Sequence, residues 1–353
     1  METRTPFTRA RAARPGTVAV VLAGAVAQGA FEAGALKVLA GAGMRVARIV
    51  AASSGALNGT CFASAVRGRA ERDGADRLID LWKDQGGWSD VFHVSLADLL
   101  RGEGLSDQRQ LLGILRENIR PTAVADRAPI DLQIVVAPLG GAPGNIGATA
   151  ATTYERVLQF DGPAFDDATT LEAVFTAAVA SASFPLLFAP TVVPGVGPCV
   201  DGGAVNNTPI KYALGGDVGR EVEAIVLISP TAALAAQRPA EEPHGLALVG
   251  QLAEMLINER LYRDLREHEA RNAALARLAD LHPDVLDPAR RDAVLAALGW
   301  DDARVVEVVS IRPLEPLPGT AFSGFYEADL RAEYIRIGME RARTVLGGLG
   351  WLA

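Results

Sequence analysis

Arg48-Ile-Val-Ala-Ala-Ser-Ser-Gly-Ala-Leu-Asn58 joins an apolar, β-prone run to a helix-forming one, with a serine at the joint. Ile49 to Ala52 reads as a buried strand, and Ala56-Leu57 as the opening of a helix. Ser53 stands two residues ahead of Gly55, the layout of a G-x-S-x-G turn that lifts a hydroxyl above the carboxyl edge of a sheet. Such a turn needs small neighbours, because strand and helix pack closely there. Gly55 meets that need, and Ala51 stands where the pattern has its first glycine. Ser-x-Gly after a strand is also common in plain loops, where the serine is only a small turn residue. What lies before and after decides between the two.

The 353 residues are 49% hydrophobic and 22% charged, which allows a large core and excludes global disorder. A net charge of -8, with no dense basic cluster in the folded part, argues against nucleic acid as a partner. Two cysteines, Cys61 and Cys199, form no disulfide framework; both read as core residues of a chain in a reducing compartment. His93, His244, His268 and His282 are scattered without zinc spacing and read as surface or structural residues. Neither a metal nor a cofactor is expected. Arg4 to Arg14 form a basic arm, and the apolar run after it, ending Ala25-Val-Ala27, imitates a secretory leader. The preferred reading makes residues 1–16 a mobile arm and Thr17 to Ala23 the first core strand. No apolar run is convincing as a membrane span. The expectation is a cytoplasmic protein, the arm a solvated tail; peripheral contact with an anionic membrane through that arm is the alternative.

Outward from Ser53 the pattern alternates. Val18 to Ala23, Leu132 to Pro138 and Glu223 to Ser229 read as buried strands, Arg45 to Ala52 and Arg304 to Ile311 as further strands, and Thr153 to Phe160 as one of partial alternation. Helices are expected at Ala30 to Ala40, Ser54 to Val66, Asp76 to Asp84, Val91 to Leu100 and Asp107 to Ile119, the last capped by Ser106. Others are expected at Thr170 to Ala182, capped by Thr169 or Thr170, over most of Gly245 to Leu281, and at Glu327 to Leu346. Gly140 to Gly147 reads as a glycine-rich loop. Strands alternating with helices predict a three-layer α/β/α fold around a mostly parallel central sheet. Residues 17–353 are expected to form one domain, with a helical insert or lid at about 230–300.

Three segments converge on that sheet's carboxyl edge, where strand-end loops bind ligands. The first is the turn Gly24-Ala-Val-Ala-Gln-Gly29, whose backbone N–H groups and following helix suit negative charge. The second is Ser53, and the third is Asp201-Gly-Gly-Ala-Val-Asn-Asn-Thr-Pro209. In order and spacing they resemble the patatin-like phospholipase family, whose pattern runs G-G-G-x-[RK]-G, G-x-S-x-G, D-G-[GA]. Ala180-Ser-Ala-Ser-Phe-Pro185 is similar to the family's segment before the third motif. The resemblance covers residues 17–230 well and the rest loosely.

That resemblance implies a Ser53–Asp201 dyad without histidine, acting through an acyl-enzyme on a lipid or other acyl ester. It also implies backbone N–H groups of Gly24, Ala25 and Val26 as the oxyanion site. The turn departs from the family where Ala25 and Val26 replace glycines and Gln28 replaces a basic residue. A β-branched residue suits a glycine turn badly. The sequence therefore predicts that Val26→Gly, with Ala25→Gly, raises turnover. The alternative is a patatin-like lipid-binding or interaction module with weakened catalysis. For Asp201 the bland reading is a turn-forming aspartate. Phe184 to Phe188 reads equally as an acyl-pocket wall or an ordinary core segment. A dinucleotide fold fails because Val26 stands where G-x-G-x-x-G needs glycine. A Ser–His–acid hydrolase fails because no histidine follows Asp201 in a motif-like loop.

Overall fold

The computed structural model describes residues 14–92, 106, 108–146, 149–185, 187–232, 246–281, 287–298 and 304–352. Ten strands lie among them. β1 (Thr17–Leu22), β2 (Arg45–Ala51), β3 (Asp131–Pro138), β6 (Arg156–Asp161), β7 (Thr191–Val193), β8 (Gly197–Asp201), β9 (Ala224–Ile228) and β10 (Glu307–Ile311) form one sheet. β4 (Ala142–Ile146) and β5 (Thr149–Thr153) form a separate hairpin. The main sheet runs β10-β9-β1-β2-β3-β8-β7, with β6 also on β3. β10, β9, β1, β2 and β3 are mutually parallel; β6, β7 and β8 pair antiparallel.

The centre is apolar on both faces, as parallel strands under helices require. Along β1, Val18, Val20 and Leu22 enter one core, while Ala19 and Val21 enter the other. The larger core holds α1 (Ala30–Gly41), α2 (Ser54–Arg67), the helix Ala168–Ser181 and the C-terminal helix Ala328–Gly348. Across the sheet, Ile210, Val222 and Leu261 cover Val50, Ile225 and Leu227. Leu261 belongs to the long helix Leu246–Ala279, so part of the 230–300 stretch is a layer of the core. Arg48, at the head of the quoted stretch, is buried; it donates to Asp131 on β3 at 2.5 Å and to the Tyr212 carbonyl at 3.1 Å.

Several expectations change. The glycine-rich loop at 140–147 is mostly β4 of a hairpin, and the strand expected from Thr153 begins only at Arg156. α3 (Glu71–Asp84) starts five residues before Asp76. Asp167 caps the helix Ala168–Ser181, its carboxylate accepting from Thr169 and Thr170 N–H groups, so neither threonine is the cap. Ser106 bridges to Phe188, and the helix after it begins at Arg109 with Gln108 at the cap position. The helix expected at Val91 to Leu100 lies outside the described residues from 93 onward; a short one, Trp88–Val91, precedes it. Arg14 and Gly16, read as part of the mobile arm, are tied down: Arg14 donates to the Ala42 carbonyl at 2.9 Å and Gly16 to Glu223 at 3.0 Å. The rest of the arm, 1–13, lies outside the described residues.

Candidate active site

β2 pairs with β3 as far as Ala51 opposite Ile134. Two residues on, Val136 pairs with Arg156 of β6 on one edge and with Asp201 of β8 on the other. A strand residue has two edges, so β8 occupies the place that β2 vacates. The chain leaving β2 at Ser53 therefore meets the end of β8 at Asp201, 148 residues later in sequence.

Ser53 has φ 54° and ψ -134°, a conformation that costs a non-glycine residue about 1–3 kcal/mol and survives only where its surroundings impose it. They do so here. Its N–H donates to Ser181 Oγ at 2.9 Å, and that hydroxyl donates onward to the Val135 carbonyl at 2.6 Å. Its carbonyl accepts from Ala56 N–H at 2.8 Å. Gly55 must be glycine, because a Cβ there would lie 2.7 Å from the Leu22 carbonyl oxygen.

Ser53 Oγ donates to Asp201 Oδ2 at 2.6 Å. Asp201 is buried, and its Oδ1 accepts from Gly203 N–H at 2.7 Å. Its own N–H goes to the Ser183 carbonyl at 3.0 Å. Burial pushes its carboxyl up to about 7, against the opposing pull of the Ser53 and Gly203 hydrogen bonds. Desolvation thus brings an ordinary acid into the range of a neutral-pH base.

The turn before α1 lies beside them. Gly24 N–H donates to the Asn207 carbonyl at 3.2 Å, and Asn207 Nδ2 returns a bond to the Gly24 carbonyl at 2.9 Å. Ala25 N–H donates to Ser54 Oγ at 3.0 Å. Val26 takes φ 52°, the left-handed shape of a glycine. Its N–H has no acceptor among the described residues. Two of the three expected donors are therefore engaged, and one is open.

Ser53, Ser54, Val26 and Asp201 face a cavity of about 110 Å³ whose walls are largely apolar. Phe184, Leu187 and Phe188 are among its lining, from the segment that reads equally as core or pocket. Cys61 also lines it, and burial pushes that thiol up to about 12. Cys199 is buried, and His268 is buried against the Val306 carbonyl at 2.8 Å; neither faces the cavity. The other three histidines lie outside the described residues. Among the described residues no cluster of acidic, cysteine and histidine side chains could hold a metal ion.

Sequence reasoning gave no role to Ser54 or Ser181, although both lie in the segments quoted for the motifs. Each matters through a partner far along the chain, at separations of 29 and 128 residues, and nothing local shows which partner that is.

A mostly parallel sheet with a strained serine at a strand-to-helix turn and an aspartate against it defines a patatin-like fold. The model of the patatin-like phospholipase family matches residues 20–214, more than half of the chain, and the chain belongs to that family. Membership places it with lipid acyl hydrolases in general. Among solved structures it is similar to VipD from Legionella pneumophila, with a TM-score of 0.38 and 14% identity over 95% of this chain and 67% of that one. No curated protein matches it. Among the described residues no helix is long and apolar enough to cross a membrane.

Proposed function

We propose that the protein hydrolyses a carboxylic ester of a lipid through an acyl-enzyme, with Ser53 as nucleophile and Asp201 as its base. The observation that carries this reading is the 2.6 Å hydrogen bond from Ser53 Oγ to Asp201 Oδ2 at the mouth of an apolar cavity. Asp201 takes the Ser53 proton as Oγ attacks the ester carbonyl, and passes it to the departing alcohol. A water entering in the alcohol's place then gives a proton to Asp201 and attacks the acyl-serine; the bond to Oγ breaks, Asp201 returns the proton to Ser53, and the acid leaves. Val26 N–H is the open donor for the oxyanion. Ser54 stands beside it: its hydroxyl accepts from Ala25 N–H and keeps its own proton to give. The assembled dyad supports the hydrolase over a binding module that has lost its chemistry.

Turnover of p-nitrophenyl esters by purified variants tests the reading. Ser53→Ala and Asp201→Asn should each lower kcat roughly 10⁴-fold, and the double variant should lose little more, because the two side chains act as one unit. Full turnover in folded Ser53→Ala would place the nucleophile elsewhere.

A further inference from the structure

α2 and α3 form one wall of the cavity beside Ser53. From α2 come Ser54, Leu57, Asn58 and Cys61, the spacing of a single helical face. From α3 come Leu78, Leu81 and Trp82, with Gln85 just past its end. The two helices run in opposite directions: Trp82 Nε1 donates to Asn58 Oδ1 at 2.8 Å, while Gly74 lies against Ala65. At that second contact the helices touch so closely that a Cβ on Gly74 would fall 2.1 Å from the Ala65 Cβ. The cleft between them therefore closes one turn beyond Cys61 and Leu78.

Past Ser54, which stands at the reacting end, the amides on this wall are those of Asn58 and Gln85, and each has a partner. Asn58 Nδ2 donates to the Gly29 carbonyl at 3.0 Å and to Glu32 at 2.8 Å, and its Oδ1 is held by Trp82. Gln85 Oε1 accepts from Asn118 at 3.2 Å. What such a wall offers a ligand is methylene contact.

Its length follows from the helix. Eight residues separate Ser53 from Cys61, and at about 1.5 Å of rise per residue the reach is about 12 Å. A zigzag hydrocarbon built on C–C bonds of about 1.5 Å advances roughly 1.3 Å per carbon, so about nine or ten carbons fit. Volume gives the same answer independently. On a scale where one water needs about 10–15 Å³, a cavity of about 110 Å³ holds roughly seven to eleven water-sized groups.

We infer that the substrate carries a medium-length acyl chain, of about eight to ten carbons, and that Cys61 at the closed end sets that length. The inference rests on the hydrolase reading above and narrows it to a substrate class. The half-buried thiol is the smallest side chain at the far end, and a bulkier one there shortens the slot from below.

The test is a series of p-nitrophenyl esters from butanoate to hexadecanoate. In the parent, kcat/KM should peak at octanoate or decanoate and fall beyond dodecanoate. In Cys61→Phe the peak should move to shorter chains, and the decanoate-to-butanoate ratio should fall at least about tenfold, as if about two methylenes lost their burial. Cys61→Leu should move the ratio the same way by less, and it serves where the phenylalanine variant does not fold. An unchanged chain-length profile in either folded variant overturns the inference.

Binding separates this failure from failure of the hydrolase reading. Decanoate should bind Ser53→Ala in titration calorimetry more tightly than butanoate, and the preference should vanish in Ser53→Ala/Cys61→Phe. If that pattern holds while no ester is cleaved, the slot stands and the hydrolase reading falls. If decanoate and butanoate bind alike, the length inference falls.

Discussion

In the role proposed for it, Asp201 is asked for two things that conflict. A base must be ionised, yet the carboxyl is buried and takes one hydrogen bond from Ser53 and one from Gly203. Its folded value of about 7 stands against an ordinary 3.8, so between those values the folded chain holds a proton that the unfolded chain has released. Stability from this group is therefore greatest at low pH and declines as pH rises toward about 7, while activity that needs the carboxylate rises over the upper part of the same range. Asp201→Asn, neutral throughout, should melt above the parent at pH 8, by less at pH 5, and close to it only below the ordinary value of 3.8. A variant that melts lower at pH 8 would deny the desolvation. Val26 poses a different conflict. Its φ of 52° costs a non-glycine residue about 1–2 kcal/mol, of which glycine returns roughly 0.5–1 as chain entropy. Its half-buried side chain also packs against the larger core and is lost with the substitution, so Val26→Gly should leave stability within about 1 kcal/mol of the parent, read from denaturant midpoints. The sequence also led to an expected gain in turnover from a regained donor, and the geometry removes that reason. Val26 already holds the glycine-like shape with its N–H open, and the Ala25 N–H is bound to Ser54 whatever its own side chain. The gain should stay far below the ~10²–10³-fold that a restored donor brings.

At the scale of elements, what the sequence disclosed tracks where each signal is stored. Val18–Leu22 of β1 and all of β9 are unbroken apolar runs because both of their faces are covered; β2 and β3 are interrupted by Arg48, Asp131 and Gln133, yet all four strands end within two residues of expectation. Ser53 and Asp201 could be picked out because small residues crowd both turns. The hairpin β4–β5 could not: Ala142–Ile146 carries glycine and proline, and its strand character comes from pairing with Thr149–Thr153. β7 and β8 were equally faint, at three and five residues, with Pro198 inside the second. Yet β8 is the element that delivers Asp201, by filling the edge of β3 that β2 leaves at Ala51. Strand order is a property of distant pairing. No window around either segment contained it.

At the scale of the whole molecule, the family match ends at residue 214, but the sheet does not. β9 pairs with β1 from Val18–Ala224 to Leu22–Ile228, and β10 covers β9 in turn. Without them β1, buried along its whole length, would become a bare edge. The C-terminal helix Ala328–Gly348 then closes the larger core, with Tyr334, Ile335, Leu346 and, just past its end, Trp351 all buried. Arg331 on that helix is buried too. Its guanidinium donates to the carbonyls of Trp82 at 2.8 Å, Lys83 at 3.1 Å and Gly324 at 2.7 Å, binding the C-terminal segment to the end of α3. Burial of each large apolar side chain is worth about 1.5–3 kcal/mol, and four of them approach or exceed the 5–15 kcal/mol by which a typical domain is stable. We therefore expect a chain cut after residue 214 not to fold, although it contains every residue of the proposed dyad and oxyanion turn. The measurement is near-ultraviolet circular dichroism with thermal melting of residues 14–214 beside the full chain. The fragment should show no cooperative transition and no esterase turnover. A cooperative melt in the fragment would make the segment after 214 an appendage, with β1 able to stand as an edge.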